Sequence, residues 1–511
     1  MTGEPIINRP NYTISLYVML GLLSLFRVYH IIAGPFELTG DEAHYWEWSR
    51  HLDWSYYSKG PMIAWLIYAG TNLFGNNEFG VRFFAVVLSS LSSVILFRLG
   101  REMYDDRTGF WAATLVQIVP LYSVFGIFFS IDSPYIFFWI LSLYLFWRAC
   151  RSETGPDHRR ETTAWWLLLG FSTGFGLLSK YTMALFYLSA LLFMIFDGKA
   201  RRLLKTRGPY MAALVSLAVF SPVIFWNAAH GWVTMKHTAG QAHIADGLKF
   251  SPLSILDYLG SQLGAVTPVL CVLILLSLWK MKKEDKGSFL FWFSMPTLIF
   301  FGLKSIQAKV QGNWALAGYA SGFIAVSEYY LKNMAAMTGH KKRLVVSAPL
   351  VALLVTALAY FPLSIPLPPD RHPVRKMMGA REFGTALSAV HREMAAKGPV
   401  FIMSRHYQQA SLLSFYMAGN PVTYCLPLNR RMTQYDLWPG FQDLVGYNAI
   451  FAAREEEDKR SINETTNRLE AAFDRCEKQL IAVSTRLGIM KYDVLRCYDF
   501  KGMAPEHVES F

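Results

Sequence analysis

Charge is what this chain has least of. Only 17% of its residues are Asp, Glu, Lys or Arg, against about 25% in an ordinary soluble globular chain. That scarcity argues against a wholly water-soluble protein. Cysteine is sparse too, and the five present form an odd count, which excludes a fully paired disulfide framework. The C-terminal part has no Gly-rich phosphate loop, so nucleotide binding there has no support. No internal repeat stands out, and paired repeats are what transporters built from two halves commonly show.

What the chain has instead is apolar length: 53% hydrophobic and 15% aromatic residues over 511 positions. A hydrocarbon core of about 30 Å needs roughly 20 apolar residues in helical form. Segments 12–34, 80–99, 109–127, 133–149, 164–179, 181–196, 209–226, 256–279, 288–303, 314–331 and 344–362 meet that test with soft edges. The expectation is a polytopic α-helical membrane protein of about eleven transmembrane helices. The stretch 164–196 reads as two short helices joined at Ser179-Lys180, or as one long helix with a re-entrant piece. Segment 12–34 is long for a signal h-region and contains Arg27, so it reads as an uncleaved anchor.

Basic residues mark every second connection. Arg98, Arg101 and Arg107 share one; Arg148, Arg151, Arg159 and Arg160 another; Lys199, Arg201, Arg202, Lys205 and Arg207 a third. Lys280, Lys282, Lys283 and Lys286 follow, then Lys332, Lys341, Lys342 and Arg343. The connections between these are nearly free of Lys and Arg, which is the positive-inside pattern. It predicts a cytoplasmic N-terminus, with outer loops 35–79, 128–132, 227–255 and 304–313 and the chain beyond 362 outside, in a multi-pass plasma (inner) membrane protein. The net charge of +12 is largely explained this way, so no nucleic acid is called for.

Residues 1–362 thus form the membrane unit, and Pro362, Pro366, Pro368 and Pro369 end its last helix. Residues 363–511 read as an extracytoplasmic, soluble α/β domain. Its expected strands are Pro399–Ser404, Pro421–Leu426, Ala449–Ala453, Leu480–Val483 and Asp493–Phe500, with helices over 377–396, 406–418 and 456–478. Cys425, Cys476 and Cys497 lie there, and an oxidising compartment permits one disulfide among them. Cys150 and Cys271 read as packing residues. The run Gly170-Phe-Ser-Thr-Gly174-Phe-Gly176 imitates a dinucleotide fingerprint but lies in a transmembrane helix, where small residues allow close helix approach.

Chemistry concentrates in the predicted outer loops. The first begins Gly40-Asp41-Glu42-Ala43-His44-Tyr45-Trp46-Glu47-Trp48, an aromatic-rich pattern suited to an interfacial helix. Acids there favour a helix N-terminus, so capping is the plain reading of Asp41 and Glu42. Asp132 before Pro134 invites the same reading. Lys59 and Lys180, however, add cations on the same side, and charges this deep are costly and often mark a substrate path. Together they predict a cavity at the outer leaflet edge with two acids, two bases and aromatic walls. Lys59 and Lys180 suit a lipid phosphate, and Asp41 or Asp132 suits a base that takes a proton from an attacking hydroxyl. Two more outer segments mix polar and aromatic residues: Trp226-Asn227-Ala228-Ala229-His230-Gly231-Trp232 and Lys309-Val310-Gln311-Gly312-Asn313-Trp314. Tryptophan anchoring explains much of this. The alternative is a divalent metal held by His230, His237 and His243, although their spacing matches no strong zinc pattern.

With those residues in place, the chain resembles the polyprenyl-phosphate-dependent glycosyltransferases of C-type fold. The group in question holds the aminoarabinose-lipid A transferase and protein mannosyltransferase-like enzymes. The carrying pieces are Gly40–Trp48, Ser55-Tyr56-Tyr57-Ser58-Lys59-Gly60-Pro61-Met62, Ile131-Asp132-Ser133-Pro134, Leu177-Leu178-Ser179-Lys180-Tyr181-Thr182 and Lys309–Trp314. The resemblance implies catalytic acids at Asp41, Glu42 and Asp132. It implies substrate contacts at Lys59, Tyr57, Lys180, Tyr181, His230, Lys309 and Asn313. It further implies a polyprenyl-phosphate sugar donor, a lipid, glycan or protein acceptor, and surrounding membrane lipids; it fixes no cofactor and leaves a divalent metal open. Ser404–Ala410 and Gln434-Tyr435-Asp436 also look like family segments, with no role attached. A transporter or flippase of lipid-linked sugars, and a scaffold with an external binding domain, are the competing classes.

Overall fold

The computed structural model describes residues 11–153, 159–241, 251–428, 430–455, 459–503 and 508. The chain divides into two compact units. One contains Met1–His30, Arg82–Ile224 and Ala245–Phe361; the other contains Ile31–Val81, Phe225–Ile244 and Pro362–Phe511.

The first unit is helical. Tyr12–Ala33, Glu78–Met103, Gly208–Ala229, Asp285–Lys304 and Gly339–Tyr360 are each long and apolar enough to cross a membrane, and the chain is a multi-pass membrane protein. The expected single crossing over 256–279 is instead two helices, Pro252–Val266 and Pro268–Met281, bent by 96°. Thr267 stands between them at φ 76°, and Pro268 has no N–H with which to continue the first helix. The 109–127 segment likewise breaks, at Val119 before Pro120. Over 164–196 two helices, Arg159–Ser179 and Ala184–Phe196, meet through Lys180 and a short 3₁₀ turn at Tyr181–Met183.

Small residues do bring helices together here. A Cβ on Gly170 would lie 2.7 Å from Val215 Cβ, and one on Gly174 would lie 2.6 Å from Val219 Cβ. Arg27, fully buried, ties distant parts of this unit. Its guanidinium donates to Gln117 at 2.6 Å, Ser123 at 3.0 Å, and Ser89 and Tyr360 at 3.1 Å. Every acceptor is neutral, so the charge is solvated by a polar cage.

In the second unit, five strands form one sheet in the order β2-β1-β3-β5-β4. They are β1 (Val400–Ser404), β2 (Thr423–Cys425), β3 (Asn448–Arg454), β4 (Phe473–Thr485) and β5 (Gly488–Phe500). β1 runs parallel to β2 and β3, and β5 runs antiparallel to β3 and β4. Phe383, Leu387, Ile402, Ile450 and Val494 centre one buried cluster; Phe401, Phe451, Leu495 and Phe500 centre another. The helix expected over 456–478 is helical only at Lys459–Ala472, and residues 456–458 lie outside the described residues. From Phe473 the chain is strand, with Phe473, Ile481 and Val483 buried among mostly exposed neighbours. Cys476 and Cys497 face each other across β4 and β5 and form a disulfide.

The same unit takes in both helices of the first loop, Gly40–Arg50 and Met62–Phe74. Glu37 caps a helix from far along the chain: its carboxylate accepts from the Ala380 N–H at 2.7 Å and the Gly379 N–H at 3.2 Å. The helix Ala380–Ala395 has glycine before it and no side-chain cap of its own, so Glu37 meets the need of its N-terminal donors.

Candidate active site

The chemistry-bearing residues form one cluster in each unit. In the membrane unit, Asp132 opens the helix Asp132–Ser152 and is buried. Lys180 donates to its Oδ1 at 2.7 Å, and the Asn313 amide donates to Oδ2 at 2.7 Å. Both carboxylate oxygens are thus occupied from two other segments, and capping is not what Asp132 does. The Lys180 ammonium also lies 5.5 Å from the centre of the Tyr135 ring, within cation–π range. A buried ion pair with an added hydrogen bond neutralises both charges and fixes three segments at one point. Tyr181 packs edge-on against Phe220, with ring centres 5.8 Å apart. Lys309 is exposed on the loop before the 3₁₀ stretch Gly312–Gly318.

In the other unit the helix Gly40–Arg50 begins with a full capping box. Thr39 Oγ1 accepts from the Glu42 N–H at 3.1 Å, and the Glu42 carboxylate accepts from the Thr39 N–H at 2.9 Å. Glu42, 2% exposed, is committed to that turn, as the capping reading of the sequence expects. Asp41, next to it, is exposed and accepts a 2.9 Å hydrogen bond from the Tyr407 hydroxyl. Gly40 is required by this geometry, because a Cβ there would stand 2.3 Å from Gln408 Cβ. Tyr407 and Gln408 belong to a segment that the sequence marked without a role, and 366 positions separate Tyr407 from Asp41.

Behind Asp41 the helix carries a buried polar row. His44 Nε2 accepts from Trp48 Nε1 at 3.1 Å, and His44 Nδ1 lies 3.1 Å from Ser411 Oγ. Burial pushes the imidazole down to about 3, so it is neutral. Burial pushes the Glu47 carboxyl up to about 7, against the pull of the Arg50 guanidinium 3.0 Å away.

Lys59 follows in the turn after this helix and donates to Gln241 Oε1 at 3.4 Å. The Tyr57 N–H donates to Gln434 Oε1 at 2.6 Å, and the Tyr57 ring meets His237 at 4.7 Å between centres. Burial, then Lys59 and Arg431, hold His237 down at about 3. His230 stacks on Trp226 at 3.9 Å, while Trp226 Nε1 donates to Asp53 Oδ2 at 2.7 Å. His230 is therefore a ring on an anchored tryptophan. Among the described residues no three His, Cys, Asp or Glu side chains gather as metal ligands, and His243 lies outside those residues.

Comparison with known proteins bears out the family resemblance. Residues 58–226 match the family model of dolichyl-phosphate-mannose-protein mannosyltransferases. The lipid A galacturonosyltransferase RgtD of Rhizobium johnstonii is 29% identical over 62% of this chain and 66% of its own length. The undecaprenyl phosphate-alpha-4-amino-4-deoxy-L-arabinose arabinosyl transferase of Pseudomonas paraeruginosa is 32% identical over 35% of this chain and 32% of its own. The chain thus matches less than two thirds of the length of either relative. The crystal structure of ArnT from Cupriavidus metallidurans bound to undecaprenyl phosphate superposes over 97% of this chain and 99% of that one. Its TM-score is 0.63 at 13% identity, so the two share a fold.

Proposed function

We propose that the chain is an integral-membrane glycosyltransferase. It moves a sugar from a polyprenyl-phosphate donor to an acceptor on a cell-envelope lipid, glycan or protein. The observation that carries this reading is Asp41, an exposed carboxylate at a rigid helix start, steadied by Tyr407, with Lys59 in the same unit. The fold shared with a structure bound to undecaprenyl phosphate and the relatives' names, both lipid-linked or lipid A sugar transferases, support it.

In the proposed reaction Asp41 takes the proton of the acceptor hydroxyl as its oxygen attacks the anomeric carbon. The bond from that carbon to the phosphate oxygen breaks, and polyprenyl phosphate leaves with the bonding electrons. One displacement inverts the anomeric centre. Lys59 stabilises the charge growing on the departing phosphate. Asp132, Lys180 and Asn313 act as a positioning set, and Glu42 fixes the helix that carries Asp41. Tyr57, Tyr181, His230 and Lys309 are proposed substrate contacts.

We further infer about eleven crossings, a cytoplasmic N-terminus and an extracytoplasmic C-terminal α/β domain beyond residue 362. The alternation of basic loops supports this orientation, as does the Cys476–Cys497 bond, since disulfides persist in oxidising compartments. A transporter reading has less support, because no paired repeat accompanies the charged clusters.

The test is sugar transfer by the purified protein from a panel of polyprenyl-phosphate sugars, with Asp41→Asn beside it. The expected result is transfer from at least one donor and a loss of roughly 10²–10⁴-fold in the variant. Full activity in Asp41→Asn would remove Asp41 as the base. No transfer from any donor, with lipid movement across vesicles instead, would favour the transporter.

A further inference from the structure

At the β2 edge of the sheet, residues 424–442 fold around a cavity of about 310 Å³, the size of a small ligand pocket. Four rings line it, Tyr424, Tyr435, Trp438 and Phe441, together with Asp436 and Gln442. Among the described residues of the lining are neither Asp41 nor Lys59, so the cavity is distinct from the site described above.

Its walls are held from behind. Trp438 meets Tyr435 edge-on at 5.4 Å between ring centres and packs at 4.8 Å on His51, the residue that ends the helix Gly40–Arg50. Tyr435 stacks at 5.5 Å on His44 of the same helix, and its hydroxyl lies 3.0 Å from Ser411 Oγ. Tyr424 stands edge-on to Phe441 at 5.9 Å, and Phe441 stacks on the core ring of Phe401 at 5.8 Å. The polar groups divide into spent and unspent. Asp436 alone is charged among the described lining residues. Its carboxylate accepts two 2.7 Å bonds from Arg430 and a third of 2.7 Å from the Thr433 N–H. By contrast, no described residue bonds to the Tyr424 hydroxyl, to Trp438 Nε1 or to the Gln442 amide. Tyr424 and Trp438 are half-buried and Gln442 is exposed, so these groups are open to a ligand.

A pyranose ring has the chemistry to match. Its faces are C–H surfaces that lie against aromatic rings, and its rim carries hydroxyls that both donate and accept. Tyr424 and Trp438 each offer a ring with a polar tip, and Gln442 offers a carbonyl and two N–H donors. A phosphate or a uronate would find no cation in the lining and would face Asp436. A purely apolar ligand would cover the unspent donors without bonding them. We propose that the cavity binds a neutral pyranose unit of a saccharide, as a sugar subsite separate from Asp41. Its back wall rests on the helix that carries Asp41, yet sugar transfer is not needed for this binding.

The experiment reads binding by saturation-transfer NMR and calorimetry, on the full chain in lipid nanodiscs and with no sugar donor present. The probes are neutral trisaccharides of glucose, mannose, galactose and N-acetylglucosamine, with trigalacturonate as the acidic counterpart. At least one neutral trisaccharide is expected to bind, and trigalacturonate roughly tenfold more weakly. Trp438→Ala should weaken the neutral ligand roughly tenfold. Tyr424→Phe, which keeps the ring and removes one hydroxyl, should weaken it about fivefold. Gln442→Ala, at an exposed position, should do the same at an unchanged thermal midpoint, which separates a lost contact from lost folding. Asp41→Asn should bind like the parent. Three results would each overturn the proposal: no neutral trisaccharide bound, parental affinity in all three pocket variants, or trigalacturonate bound as well as the best neutral ligand. Binding lost in Asp41→Asn would move the saccharide to the Asp41 site and overturn it too.

Discussion

Lys180 reaches across 48 positions of sequence to donate a 2.7 Å bond to Asp132. In the linear chain they are two separate charges at predicted outer turns; in the fold they are one neutral unit, completed by Asn313 at 2.7 Å. Both are nearly inaccessible, with side chains 9% and 3% exposed. Removing one partner leaves the other buried and uncompensated, which costs about 3–5 kcal/mol. Lys180→Met and Asp132→Asn are each expected to lower the thermal midpoint sharply. The double variant should recover much of that loss, giving a large coupling term in the cycle. Single variants as stable as the parent would show the pair to be unimportant for folding.

Glu47 makes a pH prediction. Burial raises its carboxyl from 4.5 to about 7, so the folded state holds the proton more tightly than the unfolded one. Its contribution therefore favours folding in mild acid and is lost as pH rises from about 4.5 through 7. The full effect is on the order of 3 kcal/mol. His44 and His237, both held down at about 3 mainly by burial, impose the opposite slope below 6.5, so the total curve hides the effect. Glu47→Gln compared with the parent isolates it. The variant should gain stability relative to the parent between pH 5 and 8 in denaturant melts, and a constant difference across that range would refute the assignment.

Much of this arrangement was legible in the sequence, for definite reasons. The motif beginning Gly40-Asp41-Glu42 announced both a helix start and a concentration of acids, and the capping box confirms the first. The strand from Val400 and the helix from Tyr407 followed from local periodicity. Long-range closure was not legible. Nothing in the linear chain says that Tyr407 meets Asp41, that Gln434 meets Tyr57, or that Glu37 caps the helix Ala380–Ala395. The strand from Phe473, where the sequence predicts helix to 478, has a local cause. Asp474, Arg475, Glu477 and Lys478 read equally well as the wet face of a helix or as the exposed positions of a strand, and pairing with β5 decides it.

The disulfide gives a chemical test of compartment and pairing together. Cys150, Cys271 and Cys425 are free, and Cys476 is bonded to Cys497. A maleimide reagent applied to the unfolded chain without reductant should add three labels, and five after reduction. Losing the bond through Cys476→Ser with Cys497→Ser should cost about 3 kcal/mol, because 21 positions separate the pair. Five labels without reductant, from protein made in its native membrane, would contradict both the pairing and the proposed outer location.

Gly40 offers the most local test of how Asp41 is held. A methyl at position 40 would lie 2.3 Å from Gln408 Cβ and 3.2 Å from its Cα, so the helix Gly40–Arg50 must shift away from Tyr407–Tyr416. Such overpacking costs about 1–3 kcal/mol. Because Asp41 and Tyr407 are the very next residues on each side, the shift also pulls apart the 2.9 Å bond between them. Misplacing a reacting group by about 1 Å can cost 10²-fold in rate, so Gly40→Ala should reduce sugar transfer far more than it reduces stability. Gln408→Gly removes the Cβ and Cγ that the new methyl meets most closely, and it should restore a good part of the lost activity when combined with Gly40→Ala. Unchanged transfer in Gly40→Ala alone would mean that the two helices do not need this close approach.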